Sequence, residues 1–221
     1  MSSELLAPVL ALAGLDLAVA FDARTSAEPW LVDPARPCGL VIGNTRALWT
    51  PFCAAYAADR ALRDAPDPLE HYVERVIAAA LPSDARVFYA HRLYDGVYLP
   101  FQRVAAAVGL GELTPAHLLV HPIFGPWIAL RALVLTAGAP PSPAAPLPVP
   151  GAHTPAGEAA LAAALAATGP DAWRAWLAVR DACPIGRAHR YSDAQIRYHY
   201  TKDPRVLAQE ISPVDGDLAI R

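Results

Sequence analysis

Cysteine is scarce. Cys38, Cys53 and Cys183 are the three cysteines in 221 residues, odd in number and widely spaced. They form no C-x-x-C pair, so neither a disulfide framework nor an iron–sulfur or zinc site is encoded, and the cytoplasm is the expected compartment. Long apolar runs are missing as well: none reaches the roughly 18–20 residues that a transmembrane helix needs. The apolar opening, residues 1–21, lacks a positive n-region and carries Glu4 and Asp16, so it reads as a helix followed by a strand and not as a signal peptide. No sign of charge dominates, and a formal net charge of −3 gives no footprint for nucleic acid or an anionic membrane. G-x-G-x-x-G, the Walker loop, H-E-x-x-H and the G-x-S-x-G elbow are all lacking. Phosphate cradling and hydrolysis of the usual kinds therefore have no support.

What the chain does have is apolar residues, 54%, against only 18% charged ones. Much of the excess is alanine, which suits helices. A chain of this length fits one domain with a substantial core. A helix is expected over 2–13, capped by Ser2 or Ser3 and marred by Pro8. An edge strand over 15–21 follows, with Asp16 pointing outward, and then a buried strand over 38–43. Asn44 or Thr45 caps a helix running to about residue 63, and Asp67 with Glu70 forms a capping box for a helix over 68–80. A strand at 86–90 leads into the polar–aromatic loop 91–98 and a helix at 100–108. Six prolines between Pro140 and Pro150 make an extended, stiff connection. Helices at 154–167, 170–182, 192–199 and 203–209 close the chain. The pattern is α+β, a mostly antiparallel sheet with helices packed against it. Residues 1–138 form the core, 139–153 the connection, and 154–221 the helices completing the same domain.

The stretch 105–136 organises the rest. Two apolar strand-like runs, 118–120 and 127–135, flank a turn carrying His121, Pro122, Phe124, Gly125 and Pro126, and are expected to form a hairpin. Gly109 and Gly111 bracket Leu110, and glycines there leave room for another backbone or for a flat ligand. Arg131 stands inside an apolar strand, where an unpaired guanidinium is costly. Two readings are open for it: an ion pair with Asp181, Glu112 or Asp95, or the lining of a cavity that binds an anionic group. A histidine before proline in a turn is most often structural, and His121 is not assigned as a metal ligand; no metal site is expected. His153, His189 and His199 are read as solvent-facing.

The sequence GLGELTPAHLLVHPIFGPWIALRALVL resembles the core signature of the CblC family of cobalamin-processing proteins. It resembles more distantly the cobalamin domains of epoxyqueuosine reductases and reductive dehalogenases. Trp173-Arg174-Ala175-Trp176 through Arg180-Asp181-Ala182 resembles a second block of that family. Arg190-Tyr191-Ser192-Asp193 with Pro204-Arg205-Val206-Leu207 resembles a third. The resemblance covers the C-terminal half in three ordered blocks, and the N-terminal half only in pattern.

That resemblance implies a flavin nitroreductase-like fold. It also implies a protein that binds cobalamin with its lower base displaced and removes the upper axial group, either by reduction from FMN or FAD or by attack of a glutathione thiolate. By the same resemblance Arg131, Arg180 and Arg205 are the thiol-binding residues. Physically, forked guanidinium contacts suit the two carboxylates of a thiol tripeptide, and nearby positive charge favours its thiolate. Gln102, Ala106, Gly109, Leu110, Gly111, His121, Pro122, Phe124, Gly125, Pro126, Trp127 and Trp176 fall at corrin-side positions. Two departures stand out. Ala106 occupies the place of a family histidine, and the spacing from Arg174 to Arg180 is one residue longer. The resemblance leaves room for a cobalamin carrier that hands on to a downstream cobalamin-accepting protein, as a monomer or homodimer. A flavin-dependent reductase on the same fold and an interaction protein with an empty cavity are further readings. Reduction of the epoxyqueuosine type lacks its cysteine clusters.

Overall fold

The structure, a computed structural model, describes residues 3–142 and 145–211. Along the chain, β1 (Leu17–Asp22), β2 (Cys38–Asn44) and β3 (Arg86–Tyr89) precede a tight hairpin of β4 (Leu93–Tyr94) and β5 (Val97–Tyr98). After it, β6 (Glu112–Leu113) pairs with β7 (Leu119–Val120), and β8 (Ala129–Thr136) returns to the main sheet. That sheet has the order β1-β2-β8-β3 with every neighbour antiparallel. β2, CGLVIGN, is buried at every residue. A strand with no polar face needs cover on both sides, and helices supply it.

The two faces separate by alternation along the strands. Leu40, Ile42, Ala132 and Val134 belong to one cluster, with Leu10 of α1 (Ser3–Leu12), Phe52 of α2 (Trp49–Ala58) and Val73 and Ile77 of α4 (Pro68–Ala80). Val41, Phe88, Leu133 and Leu135 belong to the other, with Phe101 and Val104 of α5 (Phe101–Ala107), Leu110 and Leu119. The C-terminal helices are α6 (Pro155–Ala166), α7 (Ala172–Asp181), α8 (Asp193–Thr201) and α9 (Pro204–Ile211). The α+β layering and antiparallel sheet expected from the sequence are the architecture found. Among the described residues, no helix is long and apolar enough to cross a membrane.

Four local expectations are corrected. The runs around Leu119 and Leu133 do not form a hairpin with each other: β7 pairs with β6, whereas β8 pairs with β2 and β3. Only His121 and Gly125 bridge across the turn between them. The helix after Thr45 is not continuous, because Asp59 leaves the helical region (φ −113°, ψ 111°) and caps a separate turn, α3 (Arg60–Arg63). Asp16 is not turned away from the protein, since its carboxylate accepts from the Thr45 N–H (2.7 Å) and hydroxyl (2.5 Å). The capping box at α4 is half made: Asp67 accepts from the Glu70 N–H, while the Glu70 carboxylate reaches Arg131 instead. The cap proposed at Ser2 lies outside the described residues.

Arg131 owes its direction to a bulge. Ile42 faces Ala132 and the next residue, Gly43, faces Leu130, so Arg131 is the extra residue on β8. A bulge re-aims the side chain it carries. Here it brings the guanidinium to Glu70 of α4 and out of the regular alternation.

Candidate functional site

A cavity of ≈340 Å³ opens beside the bulge. Its charged and polar wall holds Arg131, Arg180, Glu70, His91, His199 and Gln102, and its apolar wall includes Phe101, Leu118 and Ile128. β8 supplies Arg131, α4 supplies Glu70, α7 supplies Arg180 and α8 supplies His199, so four separately folded elements converge on one space.

Arg131 is 8% exposed and donates from Nε to Asn44 Oδ1 (2.6 Å) and from Nη1 to Glu70 Oε1 (3.0 Å). Of the two readings open for this residue, the ion pair is the one found, and the residue also lines a cavity. The carboxylate is Glu70, not Asp181, Glu112 or Asp95. Glu70 is shared further. His91 Nδ1 lies 3.1 Å from Glu70 Oε2 and its Nε2 lies 2.8 Å from Glu74 Oε1. Arg92 clamps Glu74 from Nε (2.8 Å) and Nη2 (2.6 Å), and Lys202 Nζ stands 3.6 Å from Glu70. Burial alone would raise the Glu70 pKa, but Arg131, His91 and Lys202 outweigh it and hold the carboxyl at about 2. Only the Glu74 contact has hydrogen-bond geometry, and the close approach of Glu70, then Glu74, raises the His91 pKa against its burial.

Arg180 differs. Its Nη2 donates to the Ile128 carbonyl (3.2 Å), and its buried Nη1 has no partner among the described residues. No carboxylate pairs with it there; its guanidinium lies over the rings of Trp127 (5.7 Å) and Tyr191 (5.8 Å). A buried N–H without a partner is rare and marks a place for a ligand or a water. His199, expected at the surface, faces this cavity, and its pKa falls to about 3 through burial and then the charges of Arg180 and Arg131.

The remaining expected residues divide. Gln102 and Pro126 line the cavity, although Gln102 also donates to the His117 carbonyl (3.0 Å). The glycines make room for the chain's own backbone. A Cβ on Gly111 would strike the Val120 carbonyl, and one on Gly125, at φ +58°, would strike that of Ile185. Gly109, at φ +80°, ends α5 by donating to the Ala106 carbonyl (3.1 Å). Leu110 and Trp127 are core residues at 4% and 1% exposure, and Ala106 packs at the edge of the second cluster. His121 is structural: its Nδ1 accepts from the N–H groups of Ile123 (3.1 Å) and Phe124 (3.2 Å), and burial lowers its pKa. Phe124 lies tilted against the His121 ring at 4.7 Å, Pro122 is exposed, and Trp176 is 39% exposed. Arg205 stands apart from the other two arginines. It lines a separate, open depression on α8–α9, paired with Asp203 and with a side chain 82% exposed.

Sequence reasoning missed Glu70, His91 and His199 as cavity residues. Their signals were present. Glu70 and Glu74 flank the buried stripe of Leu69, Val73 and Ile77 at a four-residue interval, and His199 follows buried Gln195 and Ile196 by four and three residues.

No family model matches the chain, and no curated protein matches it. Among solved structures it is similar to a B12-trafficking protein CblC of C. elegans, a homologue of human MMACHC. The identity is 14% and the TM-score 0.68, over 96% of this chain and 97% of that one. Epoxyqueuosine reductases are also similar: one bound to an epoxyqueuosine-modified tRNA-Tyr stem loop (15% identity, TM-score 0.48, 86% of this chain and 66% of that one) and one from Bacillus subtilis (15%, 0.49, 85% and 66%). The chain has a CblC-like fold, which is the nitroreductase-like layering that the sequence resemblance implied.

Proposed function

We propose that this chain binds cobalamin and processes it, using a thiol cosubstrate whose anionic end enters the Arg131–Arg180–His199 cavity. The observation that carries the reading is the coincidence of an end-to-end CblC-like fold with a cavity holding a guanidinium that is only partly satisfied.

The residues fit the two ligands unequally. At ≈340 Å³ the cavity stands at the low end of small-molecule sites, roughly 300–1,000 Å³, and suits the end of a tripeptide such as glutathione. It does not enclose a corrin. The space beside Gly111 and Gly125 is taken by the backbone of Val120 and Ile185, so no corrin contact is assigned to those two glycines. Cobalamin, when bound, would supply the reactive cobalt–ligand bond.

The chain's own groups do the rest. Arg131 has its charge offset by Glu70 and serves mainly to hold the wall in place. Arg180 has no such partner and donates to the incoming carboxylate through Nη1, a charge-assisted bond in a poorly hydrated place. Its charge also favours the thiolate of a bound thiol over the thiol. Phe101, Leu118 and Ile128 keep water away from that end. The same architecture serves removal of the upper axial group by thiolate attack, or its reductive removal with FMN or FAD as electron donor. It also serves delivery to a downstream cobalamin-accepting protein. Mixing the protein with methylcobalamin and glutathione, or with cyanocobalamin and reduced FMN, while recording the visible spectrum separates these. Loss of the axial group is the expected result. Binding without loss assigns a carrier, and no change with any cobalamin overturns the reading.

A further inference from the structure

Behind Arg131 and His199 lies a second void of only ≈10 Å³, whose walls include Arg131, Tyr191, Gln195, Tyr198 and His199, together with Trp49, whose Nε1 is taken by Glu210. Arg131 and His199 line both this void and the main cavity, so they form the partition between the two. Tyr191 is 3% exposed, and its hydroxyl has no hydrogen-bond partner among the described residues. A buried hydroxyl left unmade is costly, and a volume of this size admits about one water, which needs two to four polar partners.

We propose that one ordered water in this void links the Tyr191 hydroxyl to His199 and fixes the imidazole as a single neutral tautomer whose N–H faces the main cavity; Tyr191 is thus a positioning residue for His199. Among the walls, the guanidinium is one-way and the hydroxyl, amide and imidazole can take either part. A guanidinium only donates. Arg131 commits Nε to Asn44 and Nη1 to Glu70, so what it offers the void is at most a donor. In the proposed arrangement the water accepts from the Tyr191 hydroxyl and sends a hydrogen to the void-side nitrogen of His199. With one imidazole nitrogen occupied as an acceptor, the proton resides on the other, since the partner of one nitrogen decides the tautomer.

The charges around His199 keep the ring neutral. Arg180 from α7, Arg131 from β8 and Lys202 at the end of α8 oppose a further positive charge, and only Glu70 from α4 favours it. Tyr191 and Tyr200 border it as rings, at 6.5 Å and 5.0 Å. The cavity's inner end thereby presents two donors, the His199 N–H and Arg180 Nη1, and selects a carboxylate or another oxygen acceptor. That last consequence rests on the cavity being the ligand site, whereas the tautomer does not.

Two-bond proton–nitrogen correlation spectra of the ¹⁵N-histidine-labelled chain test the proposal without any ligand. In the wild type, His199 should show one neutral tautomer and no titration between about pH 5 and 8. Tyr191→Phe, which removes one oxygen, should turn it into a mixture of tautomers while the circular dichroism spectrum is unchanged. A wild-type mixture, a protonated wild-type ring, or a variant with the wild-type tautomer would overturn it. The wild-type spectrum decides even if the variant does not fold. Failure to bind cobalamin leaves this readout untouched, so the two failures are distinguishable.

Discussion

Arg131 and Arg205 both came out of the sequence as thiol-binding residues, and the structure puts them in opposite circumstances. Arg131 sits on a bulge of the central sheet, 8% exposed, with Asn44 and Glu70 as fixed partners. Arg205 stands in the first turn of α9 in a wide depression, and its only described partner is Asp203, two residues back. A buried ion pair is costly to break because its survivor stays charged in a poorly solvated place, whereas an exposed one contributes little. Arg180 lies between these extremes, partly buried and partly unpaired. The comparison shows that similarity to a motif assigns residue types, while burial and pairing decide which of them is structural and which has bonding capacity left for a ligand.

The comparison breaks most sharply at Glu70. Glu70→Gln leaves Arg131 uncompensated, and chemical denaturation should show a loss of about 3–5 kcal/mol. The double variant that also changes Arg131→Met should lose less than the sum of the single changes, as expected for directly coupled partners. The pH dependence carries the same sign. The Glu70 pKa drops from 4.5 to about 2 on folding, so its contribution, roughly 3 kcal/mol, is complete above pH 4.5 and disappears as pH falls toward 2. His91 acts in the opposite sense: its pKa is raised above 6.5, so its contribution is complete below that value and is lost as pH rises through the folded value. Stability measured against pH should therefore decline on both sides in the wild type, with the acid decline reduced in Glu70→Gln.

A smaller effect is expected at the turn. Gly125→Ala adds a Cβ at positive φ against the Ile185 carbonyl and should cost about 2–3 kcal/mol, while Gly96→Ala, with open space around it, should cost about 1 kcal/mol. Equal costs would mean that Gly125 is not pressed against its neighbour. Arg180→Leu should weaken glutathione binding by roughly 10–100-fold in isothermal titration, by removing the charge-assisted Nη1 bond to ligand, and should cost about 1 kcal/mol of stability through the lost bond to the Ile128 carbonyl. Arg205→Ala should stay within about 0.5 kcal/mol in stability.

Much of the architecture was legible in the sequence. The unbroken apolar run of β2, the Asp67 cap and the amphipathic stripe of α4 each announce their element through periodicity or capping chemistry. What escaped was long-range geometry. A charged residue within the apolar run around Arg131 was the symptom of a bulge, but the bulge itself depends on which strand lies beside β8. The glycines at 111 and 125 carried the right signal, close approach, without saying whether backbone or ligand approaches. Glu70 was read through its neighbour in sequence, Asp67, whereas its partner is 61 residues away. His199 was set aside because an imidazole on a polar-looking helix resembles a solvated one.

The central claim is that this fold binds cobalamin, with the cavity taking its thiol cosubstrate. The most direct test is the visible spectrum of cobalamin titrated with the purified chain. The account predicts a shift to the base-off form that saturates with added protein. A spectrum identical to that of free cobalamin throughout the titration would contradict it.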